Sequence, residues 1–215
     1  MKTRPKHPAF KIIAGLFVVA GLGYLFVQTL DDARSEPFTV RGNELESWTV
    51  AVDAASLDPA APVVSLRPPR ELPMRLFRQL FSRVMETLNT PQAAGIPLAL
   101  ASEVGGRIAP EDLAVMARVT GMEAARLEPR CLAHRRIPEA GVPRQLYYLV
   151  FEVPGFAAFR QALGARLAEG ATEPVLFDAA GLEPILMLAS SHPEFARWLP
   201  VRGTEADCIA PVIVE

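Results

Sequence analysis

Gln145–Val153 reads QLYYLVFEV, and Pro154-Gly155 follows at once. Nine residues dominated by Tyr, Leu, Val and Phe, closed by a turn dipeptide, have the composition and length of a β-strand. Beyond the turn, Phe156, Phe159, Leu163 and Leu167 recur at spacings of three and four, so a helix is expected from Phe156 to about Ala168, with Gly170 closing it. A strong strand feeding an amphipathic helix sets the fold class: α+β, a mixed α/β sandwich.

Toward the C-terminus, Val175–Phe177 and Ile185–Ala189 read as strands. Ser191-His192-Pro193-Glu194 has the S-x-x-E form of a capping box and predicts a short helix to Leu199. Cys208–Val214 is a last apolar strand.

Toward the N-terminus, Gly141-Val142-Pro143 is a turn. Two strands are expected at about 123–128 and 131–137, held apart by Pro129. Pro110-Glu111-Asp112 opens a helix that ends at Gly121, and Ile96–Ala101 is a strand that Pro97 confines to an edge or a start. A helix from Pro73 to Leu88 turns Met74, Phe77, Phe81, Val84, Met85 and Leu88 inward. Arg75, Arg78, Gln79, Ser82, Arg83 and Glu86 take its other side; the arginines read as an anion-binding stripe or, as is more common, a solvated face. Val63–Leu66 is a short strand, and Phe38–Arg41 and Trp48–Val52 form two more around Gly42-Asn43. The similar stretches Pro97–Ser102 and Pro184–Ser190 each precede a Pro-Glu helix start. Two ferredoxin-like halves, 38–137 and 144–215, fit that repeat.

Ile12–Val27, IIAGLFVVAGLGYLFV, carries no charge and no proline. At 1.5 Å per residue it reaches roughly 24 Å, and Gln28-Thr29-Leu30 lengthen it toward a 30 Å hydrocarbon core. Residues 12–30 are therefore expected to be a transmembrane signal anchor. No small-residue cleavage site follows, and no pair of glycines has GxxxG spacing for helix pairing. Lys2, Arg4, Lys6 and Lys11 precede the run, whereas Asp31, Asp32 and Glu36 outnumber Arg34 after it. The positive-inside rule makes residues 1–11 a cytoplasmic stub and 31–37 a linker. Residues 38–215 become an extracytoplasmic domain, periplasmic or extracellular, tethered to the cytoplasmic (inner) membrane.

The chain has 215 residues and a formal net charge of −2, which gives no electrostatic case for nucleic acid. Its two cysteines, Cys131 and Cys208, would share an oxidising compartment, so a disulfide between them competes evenly with two buried thiols. Cys131-Leu132-Ala133-His134 is half a zinc site with no second half, so no metal or cofactor is expected.

Ser190-Ser191-His192 lacks a nucleophile elbow, and there is no P-loop, dinucleotide fingerprint or HExxH. The paired H-x-S/T motifs of two-histidine phosphoesterases are absent too. Phe38–Asn43, FTVRGN, resembles the opening of POTRA-type domains of envelope proteins over six residues, too few to assign a family. Arg126, Arg130, His134, Arg135, Arg136 and Arg144 form a basic cluster suited to a phosphate or other anionic partner, or else a salt-bridged hairpin. The expected function is a membrane-anchored, non-catalytic binding or assembly module. Its partners would be the bilayer and an envelope protein or anionic ligand. The alternative is a tethered hydrolase or transferase using dispersed residues.

Overall fold

The computed structural model describes residues 8–53, 58–84, 86–92, 94–124, 126–138, 141, 143–169, 176–193 and 205–215. It is an α+β fold with two sheets. Helix α1 (Pro8–Ser35) leads into strand β1 (Phe38–Val40) and a 3-10 turn at Gly42–Leu45. Strands β2 (Thr49–Val52) and β3 (Pro62–Arg67), helix α2 (Glu71–Phe81), strand β4 (Ile96–Leu100) and helices α3 (Ala101–Val104) and α4 (Pro110–Val119) follow. The remainder is β5 (Glu128–Ile137), β6 (Arg144–Glu152), α5 (Phe156–Ala168), β7 (Ile185–Ser190) and β8 (Cys208–Val214).

The five-stranded sheet has the order β1-β8-β5-β6-β7 and the three-stranded sheet β2-β3-β4. The stretch QLYYLVFEV becomes β6, at an interior position between β5 and β7. It is buried on both faces, which is why it reads as a nearly continuous apolar run. Tyr147, Leu149 and Phe151 enter the main core with Leu132, Leu186 and Leu188. Tyr148 and Leu146 turn the other way into a smaller cluster with Cys131, Ala133, Ile185 and Met187. Pairing of β5 with β6 and of β1 with β8 runs across the 137/144 boundary, so residues 38–137 and 144–215 both contribute strands to the five-stranded sheet.

Several elements differ from the sequence expectation. The two strands expected at Phe38–Arg41 and Trp48–Val52 form, but in different sheets: β1 pairs in parallel with β8, and β2 lies in the other sheet against β3. Residues 123–128 and 131–137 are not two strands. The chain takes a 3-10 turn at Met122–Ala124 and then one strand, and Pro129 sits at a register shift within it, where the ladder is already interrupted. Helix α2 runs from Glu71 to Phe81 and not from Pro73 to Leu88; it buries Leu72, Leu76 and Leu80 and leaves Met74 and Phe81 60% and 57% exposed, while Val84, past its end, is buried as expected. The spacing of four along Leu72, Leu76 and Leu80 is equally helical, and packing against β1 and β7 selects it. Leu176 and Phe177 are not in a strand. The expected helix to Leu199 lies outside the described residues, as do Met85 and residues 170–175.

Helix α5 turns Phe156, Phe159, Leu163 and Leu167 inward. Gly155, just before it, has φ +81°, and a Cβ there would lie 2.3 Å from the Thr120 carbonyl oxygen. Both the backbone conformation and the contact require glycine.

Helix α1 is 28 residues long. From Leu16 to Val27 its large apolar side chains are exposed all round, Phe17 by 75% and Val19 by 69%. Among the described residues no helix is long and apolar enough to cross a membrane.

Candidate functional site

After β1 the chain turns at Arg41 into the 3-10 turn, and α2 runs back alongside. Three contacts fix that register. The Arg83 guanidinium donates to the carbonyl oxygens of Glu36 (2.5 Å) and Pro37 (3.0 Å) and stacks 4.2 Å over the Phe38 ring. The Gln79 side chain accepts from Thr39 N–H and donates to Thr39 O, both at 3.0 Å. Arg75 Nη2 pairs with the Glu44 carboxylate, which also accepts the Arg41 backbone N–H at 3.2 Å. The expected arginine stripe is therefore divided: Arg83, past the end of α2, braces Glu36 and Pro37, while Arg75 and Arg78 on α2 face a depression.

That depression has a volume of about 370 Å³ and is lined by Arg41, Glu44, Arg70, Glu71, Met74, Arg75 and Arg78. Four guanidinium groups face two carboxylates, and Glu44 is already engaged by Arg75. Arg41, Arg70 and Arg78 are exposed, and among the described residues their side chains make no ion pair or hydrogen bond. Arg75 Nε is buried and makes no hydrogen bond, an arrangement that costs about 1–3 kcal/mol. The site is electropositive, partly prepaid by burial, and walled on one side by the apolar Met74. The sequence marks Arg75 and Arg78 as a candidate anion-binding stripe but not the site, because Arg41 joins them only through the β1–α2 packing.

The basic cluster expected at 126–144 is spread out. Arg126 is exposed ahead of β5, and Arg130 pairs with Glu152 across the strands. Alternation along β5 then places His134 and Arg136 on the Leu132 side and Arg135 on the Cys131 side, with Arg144, opposite Ile137, on that same side. His134 stacks on Tyr147 at 4.6 Å and its Nε2 lies 2.7 Å from Gln145 Oε1.

Cys131 and Cys208 are joined in a disulfide, with Cα atoms 5.7 Å apart, linking β5 to β8. Beside it, the Tyr148 hydroxyl donates to Asp207 Oδ2 at 2.9 Å. Burial, then this hydrogen bond and the Asp207 charge, push the phenol well above its ordinary pKa. Ser190 and Ser191 serve the backbone: Ser190 Oγ accepts the His192 N–H and Ser191 Oγ the Gln145 N–H. Among the described residues no group of three or more His, Cys, Asp or Glu side chains could hold a metal ion.

The most deeply buried charge is Arg160, at 0% exposure. Nε donates to Ala179 O; Nη1 donates to Leu98 O and Glu103 Oε2; Nη2 donates to Asp178 O and Glu103 Oε1. All five N–H groups are thus used, and the guanidinium also stacks 4.5 Å from the Phe177 ring centroid. A charge so completely consumed has no donor left for a substrate. It is structural: it ties α5 to β4, α3 and the 177–179 segment.

The chain matches no family model, no curated protein and no solved structure.

Proposed function

We propose that this chain is a single-pass membrane protein, N-terminus inside. On this reading residues 38–215 form an extracytoplasmic α+β domain that binds or assembles with an envelope partner without catalysis. The observation that carries the reading is helix α1. Leu16, Phe17, Val18, Val19, Leu22, Leu25, Phe26 and Val27 are each 55% exposed or more, on every face. An unbroken apolar surface of that kind is not stable in water and calls for lipid or protein around it. Its described side chains cover Gly15–Thr29, roughly 22 Å of helix, and the uncharged run in the sequence extends it from Ile12 to Leu30, roughly 28 Å. Basic residues precede it and acidic residues follow, which favours the stated orientation.

The Cys131–Cys208 disulfide supports the same compartment, because thiols facing the cytosol are kept reduced. Binding is favoured over catalysis because the described polar side chains deep in the domain serve structure: Arg160 is saturated, Ser190 binds backbone, and Tyr148 is held neutral against Asp207. The test is extraction with alkaline carbonate. The full chain should remain in the membrane pellet with its N-terminal residues intact; release of a soluble species beginning near Asp31 would refute the anchor.

A further inference from the structure

We infer that the depression between the 3-10 turn and α2 is a binding site for a soluble phosphate-bearing anion. Three observations converge. Arg41, Arg70 and Arg78 present guanidinium groups with no partner among the described residues. Arg75, held by its ion pair to Glu44, keeps a buried Nε–H without an acceptor. The volume of about 370 Å³ suits a small molecule and exceeds what a bare monovalent ion fills.

The chemistry selects phosphate. One carboxylate satisfies a single arginine fork, whereas a phosphate offers three oxygens and up to two charges to several forks at once. Glu44 holds Arg75 in place, and its burial keeps it from competing for the free arginines. Met74 offers an apolar wall for an organic substituent.

The position of the site argues for a soluble source over a lipid headgroup. Arg83, just past the end of α2, grips Glu36 and Pro37, next to the end of α1, and Gln79 on α2 holds Thr39, while Arg75 lies one further turn back along α2. From the end of α2 at Phe81 back to Arg75 is about 9 Å of helix, and Arg70, at the start of α2, lies farther still. The phosphate chemistry is independent of the membrane reading; only the exclusion of a headgroup rests on it.

The test is calorimetric titration of the full chain in a non-ionic, phosphate-free detergent. The probes are sodium phosphate, glycerol 3-phosphate and sodium acetate, with phosphatidylglycerol added to the micelles in a separate arm. Phosphate and glycerol 3-phosphate should bind, and acetate should bind at least about tenfold more weakly. Arg70→Gln combined with Arg78→Gln, both exposed positions, should weaken phosphate at least about tenfold, while Arg136→Gln leaves it unchanged. Three results would overturn the site: no phosphate binding, equal binding by the double variant, or equal binding of acetate. Binding of phosphatidylglycerol alone would overturn the soluble assignment. None of these results bears on whether α1 spans a membrane, and a chain recovered in the soluble fraction would leave this titration intact.

Discussion

Arg160 holds Glu103 in a two-point ion pair, Nη2 to Oε1 at 2.6 Å and Nη1 to Oε2 at 2.8 Å, with the arginine wholly buried. Glu103 Oε2 also accepts the Leu100 N–H at 2.9 Å, so one carboxylate caps α3 and neutralises a charge on α5. Such a pair is costly to break from one side, because the remaining charge is stranded. Arg160→Met should therefore lower the unfolding free energy by about 3–5 kcal/mol. Combining it with Glu103→Gln should cost clearly less than the two single changes added together. Urea unfolding followed by tryptophan fluorescence measures both; strict additivity would show that the pair is not coupled.

Breaking the disulfide acts through the unfolded chain. Cys131 and Cys208 are separated by 77 positions. Replacing both with serine should destabilise the domain by about 2–4 kcal/mol, seen as a lower urea midpoint. Protein purified without reductant should take up no alkylating reagent at either cysteine until it is reduced.

Tyr148 makes stability depend on alkaline pH. Its phenol holds its proton more tightly folded than unfolded, so the folded state binds more protons once the unfolded tyrosine begins to ionise near pH 10. The contribution is complete below that pH and is lost as pH rises above it. Tyr148→Phe should cost about 1–2 kcal/mol at neutral pH, by leaving Asp207 without this donor. It should also flatten the decline above pH 10. An unchanged alkaline slope in urea midpoints measured from pH 8 to pH 11 would contradict the assignment.

Local signals were readable where one element satisfied its own pattern. Helix α5 was legible because Pro154-Gly155 stops the strand and a single apolar stripe follows. Helix α2 carries two apolar spacings, and its packing against β1 and β7 turns Leu72, Leu76 and Leu80 inward. Pro129 looked like a strand breaker because a bulge that tolerates it has no sequence mark of its own. The parallel pairing of β1 with β8 joins residues more than 170 positions apart, beyond any local pattern. The arginine depression was legible only in part: the stripe of Arg75 and Arg78 could be read, but Arg41 meets it only after β1 and α2 pack.

The central claim is that one helix separates a short basic stub from an extracytoplasmic domain. It is tested most directly by fusing a reporter active only outside the cytoplasm after Glu215, with a cytoplasm-only reporter at the same position as its complement. The account predicts activity from the first fusion and none from the second. Activity from the cytoplasmic reporter alone would contradict it.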